Sequence, residues 1–229
     1  MATALITGAS RGLGLEFCRQ LQASGWTVHA CARSPRDLPV LPGVVSHGLD
    51  VADFAAIDRL SGDLADVPID LLVNNAGVAP RHNADLGDLD YGLWRQVMDV
   101  NTLAPIKMIE AFVDQVAGSE RKLVVSISSE LGSLTRIDEN GIGRSGAWLP
   151  YRVSKAALNM AHQAIKDSLA ARGVISVLVH PGWVATALGG MNAPTSPAAS
   201  VKTLLELIER VTPEDHGKFL GHDGRAIPW

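Results

Sequence analysis

The segment Tyr151-Arg152-Val153-Ser154-Lys155 sets a phenol and an ammonium four residues apart in a run patterned as helix, so both project from one face. A lysine held beside a tyrosine favours the phenolate, which makes the phenol a better proton donor and acceptor near neutral pH. The pair is proton-transfer hardware. The same spacing also occurs on ordinary helix surfaces, and a five-residue match alone carries little weight. Its meaning depends on three supports elsewhere: a dinucleotide site upstream, a nearby hydroxyl donor, and a helix buried enough to reach a substrate.

The elements that must position the pair are readable from hydrophobic patterning. Short runs rich in Val, Ile and Leu fall at Ala2 to Thr7, Thr27 to Cys31, Val44 to Leu49, Ile69 to Val73, Lys122 to Ile127, Ile175 to His180 and, more weakly, Lys218 to Leu220. Helical patterns lie between them at Gly12 to Ala23, Asp53 to Leu64, Leu93 to Val116, Tyr151 to Arg172 and Pro197 to Val211. Alternation of this kind predicts an α/β, doubly wound fold: a seven-stranded, mostly parallel sheet with helices on both faces. No linker, repeat or low-complexity segment divides the 229 residues, which predicts a single domain. Gly132 to Leu149 and Gly182 to Ser196 break the alternation after predicted strands. They emerge at the carboxyl edge of the sheet, where open α/β folds bind ligands.

The first strand runs into Thr7-Gly8-Ala9-Ser10-Arg11-Gly12-Leu13-Gly14 and then directly into a helix. Glycines there let the backbone turn tightly and approach a pyrophosphate, whose charge meets the N–H groups of the helix N-terminus. The spacing is GxxxGxG. After the second strand the chain reads Cys31-Ala32-Arg33-Ser34-Pro35-Arg36, with no acid where NAD would need one for its ribose hydroxyl. Arg33 and Arg11 instead converge on the place of a 2′-phosphate, which predicts NADP(H) over NAD(H).

Composition sets the remaining bounds. The net charge of −4 and pI near 5.9 give no electrostatic footprint for nucleic acid or an anionic membrane surface. Without a leader-like pattern or a long apolar run, the expectation is a cytoplasmic protein. Cys18 and Cys31 read as small core residues and not as a disulfide, and the seven histidines lack metal-ligand spacing, so no metal is expected.

With these pieces in place the chain resembles the short-chain dehydrogenase/reductase family over its whole length. The motifs, in order, are the Thr7 to Gly14 turn, Asp50-Val51, Asn74-Asn75-Ala76-Gly77, Asn101, Ser128-Ser129-Glu130-Leu131-Gly132, the tyrosine-lysine segment, and Pro181-Gly182-Trp183-Val184-Ala185-Thr186. Tyr151 to Met160, His180 to Val184 and Gly221 to Trp229 look most like the C-factor and sniffer-type carbonyl reductases. The resemblance implies a Rossmann-like fold and a catalytic tetrad of Asn101, Ser129, Tyr151 and Lys155. Ser129 is chosen over Ser128 because it precedes x-x-Gly. The resemblance further implies cofactor contacts from Gly8, Ser10, Arg11, Gly12, Leu13, Gly14, Arg33, Asp50, Val51, Asn75, Ala76, Gly77, Tyr151, Lys155, Pro181, Gly182, Val184 and Thr186. Asp50 would meet the adenine and Pro181, Gly182 and Thr186 the nicotinamide end. It implies a small-molecule carbonyl or alcohol substrate, reduced by hydride transfer with Tyr151 as the acid and with Lys155 keeping the phenol acidic.

Asn101 has an argument of its own. Pro105, four residues on, has no N–H to offer the Asn101 carbonyl, which leaves that acceptor free for an ordered water. Tyr151 lies 22 residues after Ser129, farther than in the family's commoner members. The excess holds Arg136, Asp138, Glu139, Asn140, Arg144 and Trp148 and reads as a substrate wall, a lid or a solvated loop. Trp183 and Met191 are candidate pocket residues, while Trp94 reads as helix packing. The helix after Tyr151 is apolar around most of its circumference, which either a partner helix from a second subunit or the chain's own helix at Leu93 to Val116 would cover, and a homodimer is the favoured expectation. Two rival readings stay open: a C-factor-like cofactor-binding signalling protein with little turnover, and a dehydratase or epimerase using Glu130 as an extra acid or base.

Overall fold

The strand-like runs pair side by side and all in one direction. A computed structural model of the chain describes residues 1–38, 40–80, 87–138 and 148–229. Strands β1 (Thr3–Thr7), β2 (Thr27–Ala32), β3 (Val44–Gly48), β4 (Leu71–Asn74), β5 (Leu123–Ile127), β6 (Ile175–His180) and β7 (Phe219–Gly221) form one sheet in the order β3-β2-β1-β4-β5-β6-β7. Every neighbouring pair is parallel, so the expected mostly parallel sheet is parallel throughout its named strands. The order reverses between β1 and β4, which opens a crevice at their carboxyl ends.

Both faces of the sheet are apolar because alternate residues of each strand point opposite ways. Ala4 and Ile6 pack with Phe17, Cys18 and Leu204 under α1 (Gly12–Ala23) and α6 (Pro197–Arg210). Leu5, Leu72 and Val124 face Ile57, Met108 and Phe112, from α2 (Phe54–Asp63) and α4 (Ala104–Ala117). Cys18 and Cys31 are free thiols buried on opposite faces, and burial pushes Cys18 up to about 12. No helix among the described residues is long and apolar enough to cross a membrane.

Local chemistry moved several boundaries. Asp90 caps α3 (Tyr91–Met98) by accepting from the Leu93 N–H, so this helix starts two residues before the periodicity suggests. The single helix expected from Leu93 to Val116 is instead interrupted by a π-helical turn, Asp99–Leu103. Pro105 has no N–H for the Asn101 carbonyl. The chain widens by one residue there, and the Ala104 N–H bonds the Asp99 carbonyl. Helix α5 (Leu149–Ala170) begins ahead of Tyr151, behind a left-handed Trp148, and places the tyrosine in its first turn.

Candidate active site

At the crevice, the turn after β1 is held from beneath by Asn75. Its Nδ2 donates to the carbonyls of Thr7 (2.8 Å) and Gly8 (3.2 Å), while Thr7 Oγ1 accepts from the N–H groups of Asn75 (3.0 Å) and Ala76 (3.1 Å). Gly8 has φ +67°, and a Cβ there would sit 2.8 Å from Ala76 Cα, so only glycine fits. Gly14 packs equally hard against the Gly8 carbonyl. Thr186 lies beside Gly12 on the far side of the turn, where a Cβ on the glycine would be 3.3 Å from the threonine methyl.

Helix α1 starts from this turn without any side-chain cap, whereas Asp53, Asp90 and Ser196 cap α2, α3 and α6. Its first N–H groups are therefore a ready partner for a phosphate. Arg11 stands at that N-terminus and Arg33 directly follows β2, both exposed, and the Ala9 N–H bonds the Cys31 carbonyl at 2.9 Å to draw the turn against β2. Asp50 Oδ1 accepts from the Ala52 N–H (3.0 Å) after β3, beside the buried Val51. Pro181 accepts from Ser200 Oγ (2.8 Å), Gly182 takes φ +83°, and Val184 bridges to Thr195. These segments all follow the carboxyl ends of β1, β2, β3 and β6, and their residues suit a dinucleotide.

The four catalytic candidates gather where the chain leaves β5 and meets the start of α5. Asn101, in the π-helical turn, is clamped: Oδ1 accepts from the Val78 N–H (2.9 Å), and Nδ2 donates to the Val78 carbonyl (2.8 Å) and Ser154 Oγ (3.0 Å). Ser154 Oγ in turn donates to the Tyr151 carbonyl (2.7 Å), and Thr102 Oγ1 donates to the Ser154 carbonyl (2.8 Å). Lys155 Nζ donates to the Ile127 carbonyl (2.7 Å), Ser129 Oγ accepts from the Leu131 N–H (3.2 Å), and the Ser129 side chain lies near enough to the Tyr151 phenol to pull its pKa down. Ser128 is otherwise engaged, donating to Asn159 Oδ1 at 2.6 Å. That separates the two serines on geometry.

Gly132 explains how Ser129 reaches the tyrosine. A Cβ at Gly132 would lie 2.8–2.9 Å from Lys155 C, Ala156 N and Lys155 Cβ, so the loop after β5 touches α5 backbone only because residue 132 has no side chain. The sequence used this glycine as a motif marker. Its steric role, and the partners Val78, Thr102 and Ser154, needed the fold.

Burial pushes the Tyr151 phenol up to about 12, with the Ser129 bond pulling the other way, and pushes Lys155 down to about 8. Both shifts are set mainly by desolvation and give no support to the expectation that the lysine keeps the phenol acidic; Lys155 Nζ lies 5.7 Å from the phenol ring centroid and is bonded to the Ile127 carbonyl.

A cavity of about 380 Å³ opens between Glu130, the residue after Ser129, and His180, Gly182, Trp183 and the 221–227 segment. Glu130 faces His180 Nε2 at 3.4 Å and Arg136 Nη1 at 3.5 Å, and these partners hold its carboxyl below the ordinary value. An ionised Glu130 makes a poor proton donor, which leaves the dehydratase or epimerase reading only the base role for it. The Gly132 to Asp138 part of the long loop is tied to the chain's end, with Ser133 Oγ donating to the Pro228 carbonyl (2.6 Å) and the Thr135 N–H to that of Trp229 (2.9 Å). Trp148 meets Tyr151 edge-on, ring centroids 5.8 Å apart. Glu139, Asn140 and Arg144, on which the lid expectation rests, lie outside the described residues. Trp94 stacks on Tyr91, as a packing residue would. Among the described residues no group of three or more His, Cys, Asp or Glu could hold a metal.

The family model for short chain dehydrogenases matches residues 2–196. The chain belongs to the short-chain dehydrogenase family. It is 36% identical over 162 residues to the C-signal of Myxococcus xanthus, covering 71% of this chain and 93% of that protein. It is 34% identical over 236 residues to a 1-hydroxy-2-glutathionyl-2-methyl-3-butene dehydrogenase of Rhodococcus sp. (strain AD45), covering 100% of both. The NADPH-bound carbonyl reductase from chicken fatty liver superposes with a TM-score of 0.90 at 29% identity, over 100% of this chain and 99% of that one. The carbonyl reductase Sniffer of D. melanogaster does so with 0.87 at 27%, over 100% of both. The likeness to C-factor and sniffer-type members read from the motifs is therefore sound, and the fold is that of a short-chain oxidoreductase.

Proposed function

We propose that the chain is an NADP(H)-dependent oxidoreductase that interconverts a small-molecule carbonyl and its alcohol, with Tyr151 as acid and base. The observation that carries this reading is the gathering of Ser129, Tyr151 and Lys155 at the same carboxyl edge of the sheet as the uncapped N-terminus of α1. Bound NADPH supplies the hydride that goes to the carbonyl carbon. Tyr151 gives its proton to the carbonyl oxygen, and the Ser129 hydroxyl donates a second hydrogen bond to it. Lys155 holds the nicotinamide ribose, and the Asn101 clamp fixes the start of α5 through Ser154. Run backwards, the same groups oxidise an alcohol. Arg11 and Arg33 take the 2′-phosphate, in keeping with the NADPH held by the chicken enzyme.

All 229 residues act as one cytoplasmic catalytic domain in this reading. It works as a homodimer, because Val153, Ala157, Met160 and Ala164 form a stripe along α5 on which Val153, Met160 and Ala164 are exposed. A solution-scattering mass near twice 24.2 kDa supports the dimer, and a monomeric mass removes it. The decisive assay follows NADPH absorbance against a panel of aldehydes, ketones and diketones. Consumption coupled to alcohol formation is expected. Tight NADPH binding with no consumption across the panel would favour the rival, a signalling protein of the kind the C-signal likeness suggests.

A further inference from the structure

The cavity next to Glu130 is lined by four charged side chains, Glu130, Arg136, Asp223 and Arg225, and by two histidines, and its two carboxylates are already committed. Glu130 is shared between His180 and Arg136. Asp223 turns back on its own segment: Oδ1 accepts from the Arg225 N–H (3.0 Å), and Oδ2 faces Arg225 Nε at 3.6 Å. The cationic side has donors to spare. The Arg225 side chain is 89% exposed, and Asp223 is its sole ion-pair partner among the described residues. The His222 ring lies against Gly182, 3.3 Å from where a Cβ would stand, in a space that only a glycine at φ +83° leaves open. Trp183 and Ile227 add apolar wall to the same cavity, whose lining includes Glu130, the residue directly after Ser129. The volume, about 380 Å³, is within the ordinary range for a small-ligand site.

We propose that this cavity receives a carboxylate at the far end of the substrate, so that the preferred carbonyl compounds are oxo acids, held through Arg225 and His222. The inference rests on the carbonyl reductase reading and names the substrate class of that same site. A guanidinium fork matches a carboxylate with two parallel hydrogen bonds, which neither an ester nor an alkyl group can accept with charge. Because Arg225 is mostly exposed, water and salt weaken the pairing, and the preference is moderate.

The test compares kcat/KM for straight-chain oxo acids, beginning with levulinate and lengthening, against the methyl ester of each. At low salt the acid of best-fitting length is reduced about tenfold more efficiently than its ester. That ratio falls as salt rises, falls towards one in Arg225→Ala, and is partly kept in Arg225→Lys. Esters reduced as well as acids across the series, or a ratio that survives Arg225→Ala, would overturn the proposal. So would reduction of simple neutral carbonyls with none of either series, an outcome that leaves the carbonyl reductase reading standing. Failure of every carbonyl to oxidise NADPH would take both down together.

Discussion

Asn101, Lys155, Ser129 and Tyr151 are 0%, 4%, 6% and 7% exposed, and they are held through backbone groups of Val78, Ile127 and Leu131. In the cavity next to Glu130, Trp183 is 58% exposed and the wall continues into a charged rim at Arg225, while Met191, 83% exposed, is not among the residues that line it. The floor fixes atoms that must meet within tenths of an ångström, because a misplaced proton donor loses rate steeply. The wall's exposed side chains can be exchanged at less cost, since they are not packed on all sides. Common chemistry with divergent substrates is what such a division permits.

Breaking the floor should have the largest effect. Gly132→Ala forces a methyl into Lys155 backbone, a clash that costs about 1–3 kcal/mol of stability and pulls Ser129 off the phenol. Steady-state turnover is expected to drop on the order of 100-fold while the far-ultraviolet spectrum stays folded. Normal turnover in this variant would mean that the loop after β5 is not held by α5.

The cofactor end lies between the two regimes, with a rigid turn but exposed arginines. Replacing Arg11 and Arg33 together by alanine should weaken NADPH binding about 100-fold and NADH binding only slightly. Fluorescence titration of both cofactors reads the difference. Equal losses would mean that the arginines are solvated loop charges.

A subtler test uses the burial of the floor itself. Lys155 sits near 8 because desolvation disfavours its charge, so it is an ammonium below that pH and loses its proton above it. The kcat/KM for NADPH reports groups of the free enzyme and should fall about tenfold per pH unit above roughly pH 8. A profile flat to pH 10 would place the lysine in a wetter setting than this structure gives it.

Much of this was legible in the chain. The alternating apolar runs gave the sheet because strands buried on both faces need apolar residues throughout, and Thr7 to Gly14 named its own place after β1. Asp90, an N-capping residue ahead of Tyr91, carried a signal for the true start of α3 that periodicity alone overlooked. The Asn101 clamp was not readable, since its partners Val78 and Ser154 lie 23 and 53 positions away and meet it only across the fold. Nor was the direction of the phenol's shift. Four-residue spacing predicts that tyrosine and lysine share a face, but it says nothing of how far water is excluded from them.

The most direct test is Tyr151→Phe, assayed for NADPH binding and for turnover on the best carbonyl found. The account predicts NADPH affinity within a few-fold of the native protein and a loss of turnover of about 100-fold to 10,000-fold, the ordinary contribution of a positioned acid. Turnover within tenfold of native, with cofactor still bound, would contradict the assignment of the proton to Tyr151.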